Sequence, residues 1–236
     1  MTPTITAPTA THRRDHRSVL ADAEKRLLVW IARRLPRWVT SDHLSALGLV
    51  SMAAAGLAFG ALQYTPWAAL AFITALAANW FGDSLDGTLA RVRDQQRPRF
   101  WFYVDHVIDV AGTALLLAGM AWSGRMDVAL AFAALSAYLM VSAESYLATH
   151  AIGVFHMSFL GVGPTELRIL LAAGALAVMR DPSIDSGPLT GMRLFDVSGA
   201  MAIAGMLGIF VFNAVKHTRM LYQAEPLPVA GTKRAA

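Results

Sequence analysis

The chain has 236 residues, 56% of them hydrophobic and only 15% charged, where an ordinary soluble domain carries about a quarter charged residues. A mean hydropathy of +0.46 and several apolar runs of roughly twenty residues, the length that crosses a bilayer, exclude a soluble domain and indicate an all-α polytopic membrane protein. Cysteine is absent, which excludes disulfides and thiolate metal sites, and the net charge of +4 is read as basic loops meeting anionic lipid, with no nucleic-acid partner.

Residues 1–18 are polar, threonine-rich and without an apolar stretch, so they read as a disordered tail and not as a secretory signal. Residues 19–38 change character. Leu20, Leu27, Leu28, Ile31 and Leu35 recur at helical spacing among Lys25, Arg26, Arg33 and Arg34. That pattern predicts an amphipathic helix lying in the membrane interface, anchored by Trp30 and Trp38 and ended by Pro36. Six apolar segments follow, near 43–63, 66–85, 102–122, 127–149, 165–180 and 195–215. They predict six transmembrane helices in one domain over 39–218, with a cytoplasmic tail at 219–236. The fifth segment is short. On the first, Gly56 and Gly60 form a small-residue pair that permits close helix packing or dimerisation.

Lysine and arginine set the orientation. Arg13, Arg14, Arg17, Lys25, Arg26, Arg33, Arg34 and Arg37 precede the first span. Arg91, Arg93, Arg97 and Arg99 lie between the second and third, and Lys216, Arg219, Lys233 and Arg234 follow the last. The other side holds Arg125, Arg180 and Arg193 against Asp127, Asp181, Asp185 and Asp196. The bias places both termini and the 2–3 connection in the cytoplasm, in a cell (inner) membrane.

The stretch from Asp83 to Asp109 carries the chemistry. Asp83 and Asp86 are three residues apart and Asp105 and Asp109 four, so each pair shares a helix face. Four converged carboxylates repel one another and are costly to desolvate. Hard divalent cations remove that cost, and two of them about 3.5–4 Å apart form a clamp for phosphoryl displacement. All-oxygen ligands suit Mg²⁺ or Mn²⁺. Gly87 and Ala90 leave the helix surface beside Asp86 bare, and Arg91 is placed to fork onto a phosphate. The competing reading pairs these aspartates with Arg91, Arg93, Arg97 and Arg99 in a salt-bridge cluster.

The string Asp83-x-x-Asp86-Gly87-x-x-Ala90-Arg91, followed by Asp105-x-x-x-Asp109, resembles the signature of the CDP-alcohol phosphotransferases. Residues 41–49, with Ser45 and Gly48, are similar to that family's entry into its first span. The resemblance implies a six-span enzyme, commonly a homodimer, that moves a phosphoalcohol from a CDP-linked donor to a hydroxyl acceptor and releases CMP. It also implies that Asp83, Asp86, Asp105 and Asp109 hold two divalent ions. Gly87, Ala90 and Arg91 then contact the nucleotide and phosphates, and Asp109 is the candidate base. The small size and interfacial helix point to CDP-diacylglycerol as donor. The chain departs from the signature at Trp101, which stands where the family has glycine.

Residues 161–170, GVGPTELRIL, are similar to a G-P-x-E element of choline and ethanolamine phosphotransferases, whose acceptor is diacylglycerol. Pro164 there begins a helix that brings Glu166 and Arg168 close to the level of the aspartates. Glu144 lies in the fourth span without a basic neighbour in sequence, which marks it as a candidate functional residue. His150 and His156 flank the next connection, and His106 is turned off the Asp105/Asp109 face. A rival from another class is a divalent-cation transporter, whose aspartates would line a path through the bilayer.

Overall fold

The computed structural model describes residues 19–152, 164–180, 183–184 and 189–225. These form seven helices: α1 (Val19–Arg34), α2 (Ser41–Gly60), α3 (Ala68–Val92), α4 (Pro98–Trp122), α5 (Val128–Ile152), α6 (Pro164–Arg180) and α7 (Leu194–Ala224). The described residues contain no strand beyond a single antiparallel bridge between Ser183 and Arg193. The tail 1–18, the residues after 225 and His156 lie outside the described residues.

Five helices, α2, α3, α4, α5 and α7, are long and apolar enough to cross a membrane. The fifth expected span is α6, with 17 residues. At a rise of 1.5 Å per residue it is about 26 Å long, a little under the roughly 30 Å hydrocarbon core.

Local chemistry sets the helix ends. Thr40 and His43 form a reciprocal cap on α2: Thr40 Oγ1 accepts the His43 N–H, and His43 Nδ1 accepts the Thr40 N–H. α3 runs to Val92 instead of stopping near 85, so the whole Asp83–Arg91 motif is helical. Its end is a Schellman turn in which Gln95 N–H bonds Ala90 O and Asp94 N–H bonds Arg91 O, with Asp94 at φ 54°. Aspartate tolerates that left-handed position better than most side chains. Pro98 then occupies the first turn of α4. α7 likewise extends to Ala224, which puts Lys216, His217 and Arg219 on a helix.

α2 crosses α3 and α4 at backbone contact. A Cβ on Gly82 would stand 2.6 Å from the Leu44 carbonyl oxygen, and one on Gly56 or Gly119 would overlap the backbone of the facing helix. Gly60 lies against the Trp122 ring. The pair Gly56/Gly60 is therefore buried inside the protein and seats α2 on α4. Of the two alternatives, close helix packing or dimerisation, the pair serves packing within the chain, because its surface is already covered.

Two apolar clusters hold the two ends of the bundle. At one end Phe59 packs edge-on against Phe72 and Phe195, at centroid distances of 5.1 and 4.8 Å. At the other, Leu28 and Ala32 of α1 pack with Leu44, Leu85 and Leu89. The Arg93 guanidinium ties this end by donating to the carbonyls of Leu35, Pro36 and Val39 at 3.1, 3.0 and 2.5 Å, satisfying orphan groups just past the C-terminus of α1. Trp80 Nε1 donates to Glu24 at 2.8 Å. Trp30 and Trp38 stay exposed, at 53% and 74%.

Candidate active site

The α1-bearing end of the bundle brings the two aspartate pairs together. Asp86 is buried, and its carboxylate is fixed from two sides: Ser45 Oγ donates to Oδ2 at 2.6 Å and the Gly87 N–H to Oδ1 at 2.5 Å. Ser41 Oγ donates to the Asp86 carbonyl at 2.9 Å. These bonds exist because Gly82 lets α2 approach α3 closely enough for short serine side chains to reach across.

Asp83, one turn earlier, takes its ion partner from α6. Arg168 Nη2 donates to Asp83 Oδ2 at 2.6 Å, and its Nε donates to Asn79 Oδ1 at 2.8 Å. Asn79 in turn donates from Nδ2 to the Gly48 carbonyl at 3.0 Å. One chain of bonds thus joins α2, α3 and α6. Arg168 lies at the level of the aspartates, as the sequence suggests, but its pairing with Asp83 was not legible there; neither was the bridging role of Asn79.

On α4, Asp105 and Asp109 are half-buried. Asp109 lies in the electrostatic field of Asp83, Asp105, Arg168 and Asp86, and Asp86 in that of Asp105 and Asp83. The four carboxylates thus share one electrostatic neighbourhood. Among the described residues no three His, Asp or Glu side chains close around one point as a metal site would require, and Asp83 is engaged by Arg168. The donor set still fits a hard divalent ion: four carboxylates from two helices supply the all-oxygen ligands that Mg²⁺ or Mn²⁺ prefers.

Gly87 presents an open surface, where an added Cβ would meet only Arg91 Nη1, at 3.4 Å. Ala90 is buried at 3% exposure, so Gly87 and not Ala90 leaves the helix bare. Arg91 donates to Thr88 Oγ1 at 3.0 Å. The salt-bridge alternative loses two of its four arginines: Arg93 caps α1, and Arg97 pairs with Asp42 at 2.8 Å. Arg97 also lies over the rings of Phe100 and Trp101, 4.1 and 5.2 Å from their centroids. Trp101 sits one turn before Asp105 on the same face of α4, and its Nε1 is buried without a hydrogen-bond partner among the described residues.

Glu144 has a partner that sequence separation concealed. His217 Nδ1 of α7 lies 2.6 Å from its Oε1, joining α5 to α7. His150 is exposed near the end of α5, and Glu166 is half-buried in the first turn of α6. His106 contacts the Phe102 carbonyl through Nδ1 and meets the Tyr146 ring edge-on at 4.9 Å. It therefore faces α5, a placement its sequence neighbourhood did not reveal.

The family model of the CDP-alcohol phosphatidyltransferases matches residues 35–212. Among solved structures, the chain is similar to the phosphatidylinositol phosphate synthase of Mycobacterium tuberculosis, crystallised with CDP-DAG bound. The identity is 21%, the TM-score 0.51, and the match covers 89% of this chain and 100% of that one. At that identity the likeness concerns the fold. No curated protein matches the sequence.

Proposed function

This chain belongs to the CDP-alcohol phosphatidyltransferase family, and we propose that it transfers the phosphatidyl group of CDP-diacylglycerol to a hydroxyl acceptor, releasing CMP. The observation that carries the reading is the convergence of Asp83, Asp86, Asp105 and Asp109 beside the open surface of Gly87. Family membership makes the protein a phospholipid-synthesis transferase and sets the ion-transport reading aside. The solved structure with CDP-DAG bound is a neighbour in fold that supports the choice of donor.

In this reading α1 rests in the interface and α2–α7 make six spans, with α6 the shortest. Both termini and the aspartate site face the cytoplasm, and the molecule works as a homodimer through a face other than Gly56/Gly60. Asp83, Asp86, Asp105 and Asp109 would hold two Mg²⁺ or Mn²⁺ ions. Such ions, when bound, neutralise the charge of a pyrophosphate. The protein's own groups supply positioning. Gly87 lets the donor approach the α3 backbone, and Arg91 offers a guanidinium fork to a phosphate oxygen. Ser45 holds Asp86 in one rotamer. Asp109 accepts the proton of the acceptor hydroxyl as that oxygen bonds to the phosphatidyl phosphorus and the bond to CMP breaks.

The test is to incubate purified protein with Mg²⁺ or Mn²⁺, radiolabelled CDP-diacylglycerol and a panel of alcohols, and to measure CMP. A parallel reaction with CDP-choline or CDP-ethanolamine and diacylglycerol covers the reversed lipid direction, which the GPTE segment favours. CMP in the first reaction supports the assignment; CMP only in the second reverses donor and acceptor. Release in neither, with divalent binding intact, removes the transferase.

A further inference from the structure

Trp101, the departure from the signature, is left unexplained by the aspartate chemistry. Its indole Nε1 is buried and has no hydrogen-bond partner among the described residues. An indole N–H only donates, and a buried donor left unpaired carries the full cost of its lost hydration. Such a group calls for an acceptor from outside the fold. The ring around that nitrogen is held from several sides. The Arg97 guanidinium lies over it, 5.2 Å from the centroid, and over Phe100 at 4.1 Å, and it donates to Asp42 in the first turn of α2 at 2.8 Å. Phe100 meets the indole edge-on at 5.2 Å. Trp101 is thereby tied to the start of α2, the helix whose Ser41 and Ser45 hold Asp86. A donor fixed in this way loses little freedom when it meets its acceptor.

Depth places the same ring at the level of the proposed nucleotide contacts. A short turn joins the end of α3 at Val92 to the start of α4 at Pro98, so positions on both helices can be counted from that end. At about 1.5 Å per residue, Asp86 and Asp105 lie about 9 and 10.5 Å in and form one layer. Trp101 lies about 4.5 Å in, between Arg91 at about 1.5 Å and Gly87 at about 7.5 Å. It shares the helix face of Asp105, four residues on. Asp109, the proposed base, is about 12 Å farther along α4 than Trp101. A small alcohol poised at Asp109 is therefore out of reach of the indole. The CDP head, laid on the open surface of Gly87, is within reach, and its base, ribose and phosphates all carry acceptor atoms.

Resting on the donor reading above, we infer that Trp101 is a nucleotide-binding residue whose indole N–H donates to an acceptor atom of the CDP head. The chain has six tryptophans, so a ¹H–¹⁵N spectrum of the labelled full-length protein is read in its indole Nε1–H region. Trp101→Phe, or Trp101→Tyr should the first not fold, identifies the signal of Trp101. Adding CDP with Mg²⁺ should move that signal downfield, and free inositol or glycerol should leave it in place. Trp101→Phe keeps an aromatic ring under Arg97 and removes the N–H. It should bind CDP about tenfold more weakly in a calorimetric titration and raise the KM for CDP-diacylglycerol by a similar factor, with the KM for the alcohol unchanged. An indole signal that CDP does not move, one that moves with the alcohol instead, or an unchanged CDP Kd in Trp101→Phe overturns the inference, while CMP release by the parent leaves the transferase standing. A parent protein that neither binds CDP nor releases CMP removes the donor reading and this inference with it.

Discussion

At the residue scale the site is defined by which carboxylate is held and which is left to act. Asp86 is buried and bonded by Ser45 and Gly87; Asp83 is bridged to Arg168; Asp109 lies in the electrostatic field of the other three. Asp109→Asn keeps the shape and removes the base, so turnover should fall about 10²- to 10⁴-fold with CDP binding retained, measured by CMP release and by nucleotide titration. Ser45→Ala deletes a hydrogen bond to a charged group, worth about 1.5–3 kcal/mol. If that bond helps the donor-bound state, kcat/KM for the donor should drop roughly 10- to 100-fold; an unchanged value would show that Gly87 alone fixes Asp86. The spacing of the aspartates, and hence their shared faces, was legible in the sequence. The pairing of Asp83 with Arg168 and of Glu144 with His217 was not. Those partners are far apart along the chain, and only helix packing sets their separation.

At the scale of elements, backbone contact between α2 and its neighbours decides the geometry. Gly56→Leu inserts a side chain where a Cβ already overlaps Leu115 of α4, so it should abolish monodisperse, active protein in size-exclusion chromatography. Gly205→Leu on α7, where an added Cβ meets nothing within 4 Å, should behave as the parent. The glycine pattern alone announced close packing without naming the partner, which proves to be α4 of the same chain. The helix α1 was visible from its periodicity, and its fastening was not. Arg93 reaches three carbonyls around the α1–α2 connection, so Arg93→Ala should leave the fold intact but expose residues 19–38 to limited proteolysis.

At the scale of the whole molecule the arrangement is an alternating bundle whose ends differ in chemistry. One end gathers Ser41, Asp86, Arg93, Arg97 and Arg168. The other is closed by polar contacts such as Gln63 to the Trp122 carbonyl at 3.1 Å and the Asp127 N–H to Asp196 at 2.6 Å. With lysine and arginine concentrated toward the first end, the proposed orientation, by the positive-inside rule, turns it to the cytoplasm. The chain has no cysteine, so single-cysteine labelling is free of background. Gln96→Cys, in the α3–α4 turn, should react with an impermeant maleimide from the cytoplasmic side alone, and Thr65→Cys, between α2 and α3, from the opposite side alone. The reverse pattern would invert the orientation.

Composition and periodicity by themselves determined that the chain is helical and apolar enough for a membrane. The aspartate spacing, with Gly87 and Arg91, pointed to the proposed chemistry, because three- and four-residue spacing on a helix leaves side chains no choice of face. Tertiary structure decided what lies across from each face. It buried Ala90, spent Gly56 and Gly60 inside the bundle and brought Arg168 onto Asp83. Each of these depends on helix crossings fixed by side-chain shape and close backbone approach over the whole bundle, which no local stretch of sequence encodes.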